Sequence, residues 1–153
     1  MKKTGIINAQ LIYELTKMRH TDKFMICDVG FPIPDGKTIV DLSLVPGFPT
    51  VDQVFKAIAN DILIESIILY KGFGNIRPKF VEELKSKFVN HEITEMAGAD
   101  MFQRAYEPDV KLFIRTGENR PGGNMIVTSA SGVPKVFDKY NAEYDNVLEV
   151  LDK

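Results

Sequence analysis

The run His20-Thr21-Asp22-Lys23-Phe24-Met25-Ile26-Cys27-Asp28-Val29-Gly30-Phe31-Pro32-Ile33-Pro34-Asp35-Gly36 decides how this chain folds. Phe24-Met25-Ile26 has the length and composition of a buried strand, and the glycine and prolines that follow Asp28 forbid its continuation. The strand is therefore bracketed by a histidine before it and a carboxylate after it. Ligand sites in α/β sheets collect at the carboxyl ends of strands, which makes Asp28 a candidate polar anchor. A histidine suits proton transfer in both directions near neutral pH, so His20 is a candidate acid/base, although a lone histidine between helix and strand is more often a surface residue or a cap. Eight residues of extended chain at about 3.3 Å each separate the two, so they do not meet within one chain unless it folds back at Thr21-Asp22. They can bracket one small ligand or meet across a subunit boundary.

Outward from this strand, the pattern alternates between helix and strand. Asn8 is placed to cap a helix carrying Leu11, Ile12, Leu15 and Met18 at helical spacing. Ile39 to Leu44 alternates as a strand that Pro46-Gly47 ends, and Thr50 opens a helix to about Ala59 with Val51, Val54, Phe55 and Ile58 on one face. Ile62 to Leu69 reads as a buried strand, Gly72-Phe73-Gly74-Asn75 as a turn, and Pro78 to Phe88 as a helix. A strand over Ile93–Met96, a helix near Asp100–Tyr106 and strands at Val110–Arg115 and Met125–Thr128 complete the series. The expected fold is a single α/β domain spanning residues 1–153, with a mixed or largely parallel central sheet flanked by helices. Residues from about 135 to 153 form a C-terminal extension, in which Tyr140 to Leu151 is expected to be an extra amphipathic helix.

Composition narrows the function classes. The chain has 153 residues, of which 44% are hydrophobic and 26% charged, enough for one substantial core. A net charge of −2, with no basic run, argues against nucleic acid and anionic membranes as partners. Asp61 and Glu65 interrupt the most apolar region, so no membrane span is expected. The single cysteine, Cys27, reads as a reduced core residue, consistent with a cytoplasmic location. His20 and His91 lack partners at zinc-ligand spacing, so no metal is expected, and His91 reads as an exposed loop residue.

The second informative segment is Ile114-Arg115-Thr116-Gly117-Glu118-Asn119-Arg120-Pro121-Gly122-Gly123-Asn124. Its glycines permit close backbone approach to a ligand, and Asn124 offers a donor and an acceptor to a hydroxyl. Arg115 and Arg120 raise the possibility of a phosphate site, but the segment lacks a Gly-Lys-Ser/Thr ending and leads into a strand instead of a helix N-terminus.

Together, His20-Thr21-Asp22-Lys23, Asp28-x-Gly30-x-Pro32-x-Pro34-Asp35-Gly36, Asp41-Leu42-Ser43-Leu44-x-Pro46-Gly47-x-Pro49 and Ile114-Arg115-Thr116-Gly117-Glu118 resemble the D-ribose pyranase and L-fucose mutarotase family, most closely its ribose branch. The likeness runs from Met1 to about Val127. It implies a ring-shaped homo-oligomer, commonly a decamer of two stacked pentamers, with monosaccharide sites at subunit boundaries. It also implies His20 as proton donor, Asp28 and Asn124 as holders of sugar hydroxyls, with Gly122 and Gly123 beside them, and no cofactor. The implied reaction is interconversion of the anomers, or of the pyranose and furanose forms, of a free aldose by acid/base ring opening. A non-catalytic sugar-binding oligomer and an isomerase of a phosphorylated sugar, with Arg120 or Lys23 on the phosphate, are the alternatives.

This chain departs from the family pattern at three places. Arg19 stands where glycine is usual. Met96-Ala97-Gly98-Ala99-Asp100 lacks the histidine of the ribose branch, and Gly122-Gly123-Asn124 lacks a tyrosine two residues before the asparagine. If Gly122 merely deletes an aromatic wall, Gly122→Tyr raises sugar affinity, the outcome this reading favours; if a positive φ requires glycine there, tyrosine strains the loop.

Overall fold

The computed structural model describes residues 2, 4–132, 140 and 142–144. Among them, six strands form one sheet in the order β2-β5-β1-β6-β3-β4. The strands are β1 (Lys23–Cys27), β2 (Thr38–Asp41), β3 (Ile64–Tyr70), β4 (Glu92–Met96), β5 (Val110–Arg115) and β6 (Met125–Ser129). The pairs β1·β5, β2·β5 and β3·β4 are parallel, whereas β6 runs antiparallel between β1 and β3. The sheet is thus largely parallel with one reversed strand near its middle, as the alternating pattern led one to expect.

Side-chain alternation divides the core into two layers. Phe24 and Ile26, Leu112 and Ile114, and Met125 and Val127 point to one face, where they meet Leu11 and Leu15 of α1 (Ala9–Lys17), Val54, Phe55 and Ile58 of α2 (Val51–Ala59), Phe73 of α3 (Phe73–Ile76), and Phe80 and Leu84 of α4 (Pro78–Lys87). Met25, Cys27, Phe113 and Ile126 point to the other face, covered by Met101 and Ala105 of α5 (Gly98–Tyr106) and by Phe31. Cys27 is wholly buried, and desolvation pushes its thiol up to about 12, so it stays a protonated core residue.

Helix ends follow local chemistry. The Asn8 Oδ1 accepts from the Leu11 amide at 2.9 Å, and the Gln53 side chain accepts from the Thr50 amide at 2.9 Å, each satisfying an amide at a helix start. Three expectations need correction. Gly72–Asn75 is not a simple turn, because Gly72, at φ 97°, leads into the single helical turn α3, which drives Phe73 into the core. Strand β2 stops at Asp41 because the Asp41 carboxylate takes the Ser43 amide and hydroxyl, bending the chain before Leu44. His91 is not exposed; it is partly buried with its ring edge-on to Phe88, 4.7 Å between centroids.

The helix expected over Tyr140–Leu151 lies mainly outside the described residues, and within it residues 142–144 are not helical. This stretch is nonetheless anchored. Tyr144 is buried against Phe55 and Phe88, and Asn60 both donates to its carbonyl at 3.2 Å and accepts from its amide at 2.9 Å.

Candidate functional site

Because β6 runs against β1, the residue that precedes β6 lies beside the residue that follows β1. This juxtaposition creates the polar cluster at the carboxyl end of the sheet. The Asp28 amide donates to Asn124 Oδ1 at 3.0 Å, and Asn124 Nδ2 donates back to Asp28 Oδ2 at 2.9 Å. The Gly122 amide donates to the same Oδ2 at 3.1 Å, and the Gly30 amide donates to Oδ1 at 3.0 Å. Asp28 and Asn124 are both buried. A carboxylate has about four acceptor positions, so three such bonds orient Asp28 firmly and leave one free for a hydroxyl. Of the sequence candidates, Asp28, Gly122, Gly123 and Asn124 are brought together here.

His20 is elsewhere. It lies beyond the amino end of β1, where Thr21, at φ 70°, turns the chain and donates its amide to the Ser129 carbonyl at 3.1 Å. The turn does not carry His20 to Asp28. Its Nε2 lies 2.8 Å from Glu65 Oε2, both side chains being substantially exposed. Glu65 is the second residue of β3, and its nearness to His20 was not legible because only the order β1-β6-β3 brings the two together. Nearby, burial tends to raise the Asp22 carboxyl, but the hydrogen bond from Lys111 and the Arg19 amide outweigh it and hold it below the usual carboxylate range.

A second buried carboxylate braces the polar cluster. Glu118 is 1% exposed and receives Arg120 Nε at 3.0 Å and Arg77 Nε at 3.1 Å. Burial alone raises its carboxyl, but the Arg120 and Arg77 hydrogen bonds prevail and hold it below the ordinary range. Arg77 also reaches Asp52 at 3.3 Å, Arg115 reaches Asp41 at 3.3 Å, and Lys23 pairs with Asp109 at 2.9 Å. The cations considered for a phosphate are thus all engaged by carboxylates. Gly117 is fixed by contact, since a Cβ there would stand 2.1 Å from the Phe48 carbonyl oxygen, so the loop carrying Leu44 and Val45 packs directly on this segment. Among the described residues no group of three or more His, Cys, Asp or Glu could hold a metal ion.

Gly122 has φ 90°, and a Cβ built on it would lie 2.8 Å from Cδ1 and Cε1 of Tyr70. This overturns the expectation that Gly122→Tyr simply restores a missing wall. The position is both left-handed and occupied by another residue's ring. Tyr70, the last residue of β3, was missed because its strand was expected to end at Leu69.

Against this geometry, the comparisons with known proteins are decisive. The model of the RbsD / FucU transport protein family matches residues 1–133. This chain belongs to that family. The D-ribose pyranase of Kosmotoga olearia is 36% identical over 129 residues, covering 84% of this chain and 97% of that protein. The solved structure of Bacillus subtilis RbsD complexed with D-ribose is 33% identical, with a TM-score of 0.76 and coverage of 87% of this chain and 100% of that one. The fucose mutarotase of Streptococcus pneumoniae in complex with L-fucose shares the fold, with a TM-score of 0.63 at 17% identity over 87% of this chain and 100% of that one.

Proposed function

We propose that this chain is an isomerase of carbohydrate metabolism that interconverts ring forms of a free aldose, of the D-ribose class, by acid/base ring opening. The observation that carries this reading is the reciprocal Asp28–Asn124 pair with the Gly122 amide, a rigid, uncharged-ligand cradle in a chain related over nearly its whole length to D-ribose pyranases. The neighbouring cations being engaged favours a sugar without phosphate.

In the reaction, Asp28 and Asn124 hold sugar hydroxyls, and His20 gives a proton to the ring oxygen. Transfer of the anomeric hydroxyl proton to a water molecule, as the C=O forms, breaks the bond between ring oxygen and anomeric carbon and leaves the open-chain aldehyde. Rotation and attack by a hydroxyl on the aldehyde, with return of the proton, recloses the ring as the other anomer or ring size. Acid/base catalysis of this kind contributes about 10²–10⁴-fold and needs no cofactor. Glu65 acts as a positioning residue, its carboxylate 2.8 Å from His20 fixing the imidazole.

His20 and Asp28 lie at opposite ends of β1, so on this reading one site takes its cradle from one subunit and its histidine from another in a ring-forming homo-oligomer. Exposed Val29, Leu44 and Val45 on loops flanking the cradle supply apolar surface for such a contact. The proposed location is cytoplasmic and the proposed unit a single domain over 1–153; among the described residues no helix is long and apolar enough to cross a membrane. Exchange NMR on a panel of free aldoses tests the function. Accelerated exchange by the wild type, and its loss in a folded His20→Ala variant, is expected; binding without exchange would make this a sugar-binding oligomer instead.

A further inference from the structure

The ring of Tyr70 is wedged between two glycines distant in sequence. Its Cδ1–Cε1 edge stands 2.8 Å from where a Cβ of Gly122 would be, and its opposite edge faces Gly98, whose Cβ would lie 3.2 Å from Cε2 and 3.4 Å from the hydroxyl oxygen. One aromatic side chain thus occupies space that a side chain at Gly122 would need and lies close to where one at Gly98 would begin. The placement is enforced by backbone bonding as well, since the Tyr70 amide donates to the Asn124 carbonyl at 3.0 Å, and the next amide, of Lys71, donates to Met96 at 2.8 Å. Tyr70 is partly buried, resting on the Met25, Cys27 and Met101 layer. Among the described residues its hydroxyl makes no hydrogen bond, whereas Asp28 and Asn124 are bonded to each other and the amide of Gly122, the residue beside the ring, is bonded to Asp28.

The geometry points to Tyr70 as a specificity-determining residue of the sugar site, a role that rests on the function proposed above. Its ring supplies an apolar face for the C–H surface of a monosaccharide, and its unpartnered hydroxyl supplies a donor and acceptor that reads a sugar hydroxyl on the Gly98 side. Gly98 and Gly122 act with it, because a Cβ at Gly122 would collide with the ring and one at Gly98 would press on it at 3.2 Å. The preferred ligand is therefore a free aldose whose one face is stripped of hydroxyls toward Gly122 and whose hydroxyl lies toward Gly98.

Tyr70→Phe keeps the ring and removes the hydroxyl, while Tyr70→Leu keeps apolar volume and removes the ring. Anomer and ring-form exchange is measured by NMR on D-ribose and L-fucose, with KM and kcat separated, and folding is checked by thermal unfolding. The expected result for Tyr70→Phe is a rise in KM of about tenfold for the preferred sugar with kcat nearly held, as for one lost hydrogen bond. For Tyr70→Leu it is a change of about tenfold or more in the ratio of kcat/KM between the two sugars. Addition of the preferred sugar to wild type with labelled tyrosines is also expected to shift the Tyr70 ring resonances. Unchanged KM values and an unchanged ratio in folded variants, with no ring shift, overturn the role of Tyr70 while leaving the enzyme reading intact. A wild type that neither binds nor turns over any aldose overturns both.

Discussion

Gly122→Ala is the sharpest probe of how the cradle is built. The alanine must take φ near 90°, where a Cβ crowds the following carbonyl, at a cost of about 1–2 kcal/mol. Its Cβ also meets the Tyr70 ring at 2.8 Å and Ile76 Cδ1 at 3.4 Å, and the ring is held against the layer of Met25, Cys27 and Met101. Overpacking of that kind costs about 1–3 kcal/mol, so the total is about 2–5 kcal/mol, or a fall in Tm of roughly 4–20 °C for a chain of this size. Urea and thermal unfolding of Gly122→Ala, Tyr70→Ala and the double variant separate the two contributions. With the ring removed, the backbone part remains and the overpacking part is lost, giving a coupling of about 1–3 kcal/mol. An alanine variant within about 0.5 kcal/mol of wild type would refute the left-handed assignment, and equal costs in both backgrounds would refute the contact with Tyr70.

Other perturbations test the neighbouring groups. Asp28→Asn replaces an acceptor of three hydrogen bonds with a group that must turn an NH₂ toward at least one donor, so a loss of about 1–3 kcal/mol in urea unfolding is expected, together with weaker sugar binding. Glu118 has its folded pKa held below 4.5, so its stabilisation is present above that value and is lost as pH falls through the depressed one. Glu118→Gln should accordingly lower Tm at neutral pH, with the gap to wild type closing in acid; a gap independent of pH would count against the Arg77–Glu118–Arg120 clamp. Tyr144 is buried with no partner for its hydroxyl among the described residues, so Tyr144→Phe should be neutral or slightly stabilising, whereas Tyr144→Ala should cost about 3 kcal/mol in the same assay.

How much was legible beforehand depends on the range of the interaction involved. Strand β1 and its punctuation, the capped helices and the loop ending in Asn124 are written locally, in apolar runs, caps and prolines. Helix α3 was not, because four residues cannot display a helical period and Gly72-Phe73-Gly74-Asn75 carries every mark of a turn. The reversal of β6 was not legible either, since Met125-Ile126-Val127-Thr128 reads the same in both directions. That reversal sets Asn124 against Asp28 and, through the order β1-β6-β3, Glu65 against His20. Asp28 and Asn124 were singled out individually, but their mutual bonding, the arginine clamp on Glu118 and the wedging of Tyr70 all depend on contacts between distant segments.

The placement of His20 and Asp28 yields a prediction that separates an intersubunit site from any arrangement within one chain. Strand β6 secures both ends of β1, with Asn124 holding Asp28 at one end and the Ser129 carbonyl holding Thr21 at the other, so the chain presents His20 and the Asp28–Asn124 pair in fixed, opposed positions. A contact that joins the cradle end of one copy to the histidine end of the next is head-to-tail, and such contacts close into rings. His20→Ala subunits retain the cradle, and Asp28→Asn subunits retain the histidine. In rings assembled from equal amounts of the two, a complete site needs the first kind on one side and the second on the other, which random mixing provides at about one quarter of the sites in a head-to-tail ring. Each variant assembled alone should be nearly inactive, while refolding or subunit exchange of the mixture should restore exchange of free aldose toward that fraction. Mixed rings, verified by mass spectrometry, that remain as inactive as their parents would show that His20 and Asp28 do not meet across a subunit boundary.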